Sequence, residues 1–192
     1  MLSLKSATES RWLAQVERDL PAILIDHAHC EKKAAGVAMN LIFAYGNGRP
    51  EMCRQLSDIV VEELEHFRLV LDLLADREIR FVALKPGQYG RKLNDLVRKG
   101  EPQRAIDRFL VASLIEARSC ERFSLLRDHV ADRPLAEFYG SLFESEARHH
   151  STYVQMAAQF GSEADVRARL DELAGDEARI IGEGDEAPRM HS

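Results

Sequence analysis

One pattern, written twice, constrains this chain more than any other. Glu31 is followed 32 residues on (31 to 63) by Glu63-Leu64-Glu65-His66, and Glu116 is followed 30 residues on (116 to 146) by Glu146-Ala147-Arg148-His149. A lone Glu and then Glu-x-x-His, both repeated, is the ligand set of a carboxylate-bridged two-metal site inside a four-helix bundle. The motif by itself decides little. With 19 Glu among 192 residues and seven His, close to one Glu-x-x-His match is expected by chance, and two are present. What decides is the faces on which the six residues fall.

Leu24, His27, Glu31, Ala34, Ala38 and Ile42 recur at steps of three and four, predicting a helix from about Leu20 to Tyr45. Met52, Leu56, Ile59, Glu63, His66, Val70 and Leu73 predict a second from about Pro50 to Asp76. Phe109, Ala112, Glu116, Cys120 and Phe123 predict a third over about Pro102 to Val130. Tyr139, Leu142, Phe143, Glu146, His149, Tyr153 and Met156 predict a fourth over about Pro134 to Phe160. Pro21, Pro50, Pro102 and Pro134 stand at the four starts, where a missing N–H costs nothing. Asp19 and Asp132 are candidate N-caps. Ser6-Ala7-Thr8-Glu9 reads as a capping box for a short leading helix, and Ser162 as the cap of a final helix ending near Gly175.

The connections then select a topology. Helices one and two, and three and four, are joined by only a few residues, so each pair is antiparallel. Between the pairs lie roughly 25 residues, 77–101, which when extended reach ~80 Å, against ~40 Å for a 26-residue helix. The expected fold is all-α: two antiparallel hairpins joined by a long crossover, a ferritin-like four-helix bundle with short flanking helices. Residues 1–175 would form this one domain and the acidic 176–192 a frayed tail.

All six Glu and His lie on apolar stripes. Ionised carboxylates there are costly unless paired or metal-bound, and four Glu with two His match two di- or trivalent cations. Mixed carboxylate and imidazole ligation suits iron or manganese, whereas structural zinc sites prefer thiolates. Glu63 and Glu146 are the expected bridges and Glu31 and Glu116 the terminal ligands. Glu62 and Glu65 lie off the inner face, and His150 faces about 100° away from His149. His27, one turn from Glu31, suits either a partner to that ligand or a plain core histidine. Tyr45, Tyr153 and Met52 read as packing residues.

Charge and composition close off other classes. No run approaches the ~18 apolar residues of a membrane span, and the first residues lack the apolar stretch of a signal peptide. Cys30, Cys53 and Cys120, odd in number and without CxxC spacing, predict free thiols and a reducing, cytoplasmic setting. Against a net charge of −6, residues 77–108 hold nine Lys and Arg to four acids. That run is either a solvated connection or a phosphate-contacting surface. Its candidate contacts are Arg91, Lys92, Arg98 and Lys99, with Tyr89 as a stacking platform in a flexible loop.

Four local strings carry a narrower resemblance. They are Asp26-His27-Ala28-His29-Cys30-Glu31-Lys32-Lys33-Ala34-Ala35, Glu62-Glu63-Leu64-Glu65-His66-Phe67, Ile115-Glu116-Ala117-Arg118-Ser119-Cys120-Glu121-Arg122-Phe123 and Glu144-Ser145-Glu146-Ala147-Arg148-His149-His150. With Lys85-Pro86-Gly87-Gln88-Tyr89-Gly90 of the crossover, the chain over about 8–175 resembles the bacterial tRNA hydroxylases of 2-methylthio-N6-isopentenyladenosine, themselves ferritin-like di-iron carboxylate proteins. The resemblance implies an O₂-dependent monooxygenase with two irons on Glu31, Glu63, His66, Glu116, Glu146 and His149. It implies hydroxylation of the isopentenyl group beside a tRNA anticodon, with O₂ as co-substrate and an external electron-transfer protein. It favours RNA contact by the basic crossover. Rival expectations are a ferritin-like iron-storage protein, a rubrerythrin-like peroxidase and a metal-free helical RNA-binding scaffold.

Overall fold

The computed structural model describes residues 2–192 and contains, among them, seven helices and no strand: α1 (Ser10–Arg18), α2 (Leu20–Tyr45), α3 (Pro50–Asp76), α4 (Tyr89–Asp95), α5 (Gln103–His129), α6 (Arg133–Ala157) and α7 (Glu163–Glu183). The chain forms two compact units, each built on one long hairpin.

The first unit spans Ser10–Gly87 with Asp185–Met190 and Ser192. Its hairpin is α2 against α3. Asp19 caps α2, its carboxylate accepting from the Ala22 N–H at 3.1 Å, and Pro21 occupies the first turn. The turn at 46–49 depends on glycine at two positions. A Cβ on Gly46 would stand 2.5 Å from Cys53 Sγ and 2.6 Å from Ile42 O, and Gly48 adopts φ 76°. Pro50 then opens α3. Phe81, at the start of the crossover, lies against the hairpin, its ring 4.7 Å from His29 and 5.9 Å from Phe67.

The second unit holds the segment up to Glu9, Gln88–Gly184 and His191. Its hairpin is α5 against α6, with Asp132 capping α6 through the Leu135 N–H at 3.1 Å. α4 and α7 lie along α5. The contact is knit by buried charge. Arg118 of α5 donates from Nε and Nη2 to Glu177 of α7 at 2.9 and 2.8 Å, and it also pairs with Glu121. Such a cluster persists only because each charge meets an opposite one.

Four details depart from the sequence expectations. The Ser6–Glu9 capping box does not form: the Thr8 N–H and hydroxyl both donate to Glu121, each at 2.7 Å, and α1 begins at Ser10. The crossover contains the helix α4, and Tyr89 is no exposed platform. It is 7% exposed, donates to Glu177 at 2.9 Å and stacks on His191 at 4.9 Å, because a buried phenol needs an acceptor. α7 runs on to Glu183, past Gly175, since its buried face continues through Glu177, Ile180 and Ile181. Nor is the last segment frayed. In the first unit Trp12 Nε1 donates to Arg189 O at 2.9 Å, Gln15 Nε2 to Asp185 O at 2.8 Å, and the Met190 N–H to Asp26 at 2.9 Å. Acidic composition suggested a solvated tail, but its backbone supplies the partners those buried side chains require.

Candidate metal centre

Each hairpin carries one copy of the doubled pattern. In the first unit α2 presents Glu31 and α3 presents Glu63 and His66, all buried. One ligand atom from each lies within 4.8 Å of the others. The i, i+3 spacing sets Glu63 and His66 on one face of α3, and the antiparallel return brings Glu31 to the same level. His27 Nε2 is 2.5 Å from Glu31 Oε1, and His66 Nδ1 is 3.6 Å from Oε2. Burial opposes charge on Glu31, but His27 and then His66 outweigh it and hold the carboxyl well below its usual range.

In the second unit α5 presents Glu116 and α6 presents Glu146 and His149, again buried and again with one ligand atom each within 4.8 Å of the others. His149 Nδ1 is 4.0 Å from Glu146. Cys120, one turn beyond Glu116, donates to Phe143 O at 3.6 Å. Burial first, and Glu146 second, push its thiol up to about 12, so it stays protonated and adds no charge. His150 points away, bonding Ser113 O at 2.8 Å through Nδ1, and burial lowers its pKa.

The donor chemistry of each trio fits a hard or borderline cation. Two buried carboxylates within a few ångströms of each other repel, and one imidazole cannot neutralise both. A divalent metal relieves that repulsion and accepts oxygen and nitrogen donors together. No thiol belongs to either trio, which disfavours a structural zinc site. Met52 and Tyr153 are fully buried packing residues, Tyr45 is buried as well, and Glu65 is exposed.

The four expected RNA contacts divide. Arg91 pairs with Asp95 at 3.1 Å and also donates to Gln88. Lys92 pairs with Glu183 at 2.5 Å. Arg98 donates twice to buried Asp107, at 2.9 and 2.7 Å. Lys99 is exposed and lines an open groove together with Arg104 and Arg108 of α5. Those two arginines were not singled out by the sequence reading. Their i, i+4 spacing beside the basic run was the available signal.

Comparison with known proteins adds a second kind of observation. Residues 2–192 match the family described as tRNA-(MS[2]IO[6]A)-hydroxylase (MiaE). The chain is 37% identical over 185 residues to the tRNA 2-(methylsulfanyl)-N(6)-isopentenyladenosine(37) hydroxylase of Pseudomonas putida, covering 96% of this chain and 89% of that protein. It is 32% identical to the protein of the same name from Salmonella typhimurium, covering 98% and 87%. Among solved structures it is similar to Protein 43 with aldehyde deformylating oxygenase activity from Synechococcus. That match has 42% identity and a TM-score of 0.94, and covers 98% of this chain and 95% of that one. The fold is the all-helical, ferritin-like one.

Proposed function

The chain belongs to the tRNA-(MS[2]IO[6]A)-hydroxylase (MiaE) family, and on that premise we propose that it is an O₂-dependent di-iron monooxygenase acting on 2-methylthio-N6-isopentenyladenosine in tRNA, beside the anticodon. The observation that carries the reading is the pair of buried trios, Glu31, Glu63 and His66 on one hairpin and Glu116, Glu146 and His149 on the other. In this reading Glu31, Glu63 and His66 would hold iron on one hairpin, and Glu116, Glu146 and His149 would hold it on the other. When bound, the irons supply the reduction of O₂ that inserts one oxygen atom into an allylic methyl C–H bond. The second oxygen leaves as water, and an external donor supplies two electrons while two protons are taken up.

The protein's own groups have narrower tasks. His27 fixes one oxygen of Glu31, leaving the other for a metal. Cys120 keeps a neutral thiol beside the second trio. Leu24, Leu56, Phe109, Phe123 and Leu142, buried on the same four helices, would keep water from an oxidising centre. No helix among the described residues is long and apolar enough to cross a membrane.

The 42% identity to Protein 43 favours a second reading, oxygenation of an aldehyde. One experiment separates the two. The chain is reconstituted anaerobically with ferrous iron, then given reductant and O₂ with either prenylated tRNA or a long-chain aldehyde. Nucleosides and hydrocarbon products are analysed by mass. A gain of one oxygen atom on the prenyl adenosine, with no aldehyde consumed, is the expected result. Aldehyde turnover with unmodified tRNA overturns the tRNA reading. Loss of the hydroxylated nucleoside from a deletion strain is the matching result in cells. Assembly into a shell of two dozen chains on size exclusion would point instead to iron storage.

A further inference from the structure

In the second unit, an open groove of about 510 Å³ lies between the C-terminal end of α4 and the start of α5. It is lined by Asn94, Val97, Arg98, Lys99, Arg104 and Arg108, and no carboxylate stands among them. The nearby acids are already engaged. Asp107 is buried and accepts from Arg98 and from Arg169 at 3.0 Å. Burial raises its pKa, but these guanidinium bonds outweigh burial and keep it low. Glu101 caps the first turn of α5 by accepting from the Ala105 N–H at 3.1 Å. Lys99 and Arg104 are exposed, and neither is held by a carboxylate among the described residues.

Two further points make this cluster unlike an ordinary solvated face. Arg104 sits in the first turn of α5, where the helix dipole disfavours a cation; no residue of that turn is acidic, and Glu101 just before it is engaged with the Ala105 N–H. An anion in the groove would offset both charges. Arg104 and Arg108, four residues apart, also share one face of α5 and so point their guanidinium groups in one direction. Arg98, bonded to Asp107, forms one wall of the groove.

We propose that this groove seats the phosphodiester backbone of the RNA substrate, with Lys99 and Arg104 on adjacent phosphates. The inference rests on the tRNA reading and deepens it, moving the contact from Arg91 and Lys92 to the α4–α5 junction. From Arg108 to Glu116 is eight residues (108 to 116), about 12 Å along α5. A nucleoside bearing a five-carbon substituent spans a comparable distance, so one helix carries both the backbone contact and a ligand of the proposed centre.

The test uses the full chain, loaded with iron, and a labelled prenylated anticodon stem-loop. Binding is followed by fluorescence anisotropy between 50 and 200 mM salt. Lys99→Glu with Arg104→Glu is expected to weaken binding by about tenfold or more. It should also flatten the salt dependence by about one to two in log–log slope, with helicity and iron content retained. The control reverses charge elsewhere in the same unit, at Arg133 and Arg167, both exposed and paired within their own helices, and is expected to leave affinity within about twofold. Unchanged binding by the groove variant, or an equal loss in the control, overturns the groove while the tRNA reading stands. Absence of RNA binding by the unaltered chain overturns both.

Discussion

The two hairpins carry the same candidate-ligand pattern in unlike surroundings. Glu31 has His27 one turn before it, whereas the equivalent place before Glu116 is Ala112. Glu116 in turn is followed after four residues by Cys120, where Glu31 is followed by Ala35. The helices differ as much as their ligands. Eighteen of the 27 residues of α5 are buried against eight of the 27 of α3, because α4 and α7 cover the outer side of α5. On α2 and α3, Phe43, Val61 and Leu64 stay exposed. A repeated Glu and Glu-x-x-His pattern therefore does not bring identical surroundings. Glu31 of one trio is held by a neighbouring imidazole, and Glu116 of the other lies on the more deeply buried helix.

The comparison can be broken most directly at the ligands. Glu63→Ala and Glu146→Ala are each expected to reduce iron from two per chain to fewer than one, with far-UV circular dichroism retained. If each variant keeps one iron, the trios are two independent sites; if either keeps two, that residue is not a ligand. Next in size is the buried network of the second unit. Arg118→Met removes the guanidinium that pairs with both Glu121 and Glu177 and is expected to cost about 3–5 kcal/mol in urea unfolding. His27→Ala probes the asymmetry itself. Iron titration should show a loss of about 10–100-fold at one of two metal positions, so that loading becomes biphasic. Equal weakening of both positions would remove the distinction drawn between the hairpins.

The smallest effect concerns pH. The Asp107 carboxyl is lowered in the folded protein, so its contribution is fully present above the unfolded value of about 3.9 and is lost as pH falls through the folded one. Thermal melts from pH 6 down to pH 3 should show the acid limb flattened in Asp107→Asn by up to about one proton's linkage. An identical limb would mean that Asp107 keeps its ordinary affinity for protons and that Arg98 and Arg169 do not hold it.

Much of this was legible in the sequence because two periodicities coincide in it. The apolar stripes and the Glu and His positions share the 3.6-residue repeat, so the helices and the candidate ligands were read together. The boundaries of α2 and α3 follow directly from Pro21, Pro50 and the glycines between them. What escaped was decided by partners far along the chain. Thr8 left its capping box for Glu121, 113 residues away. Tyr89 turned inward toward Glu177, 88 residues away. Gly175 looked like a stop, but tertiary burial of Ile180 and Ile181 extends α7 past it. Local propensity is a weak guide where a distant acceptor or a buried face competes. Among the basic residues, composition showed an excess of charge but not which charges were already taken; Arg91, Lys92 and Arg98 had acids waiting for them.

The glycine turn between α2 and α3 acts as a caliper. Glu31 and Glu63 lie equally far from residue 47, sixteen positions on either side (47 − 31 and 63 − 47), and that is why the two arms meet at one level. Most surface connections accept an inserted residue at little cost. This one would not, since a single added residue would turn one arm by about 100° and carry its carboxylate off the inner face. At Gly46 even a Cβ would meet Cys53 and Ile42. A short loop far from any chemistry thus sets the gauge of the first trio.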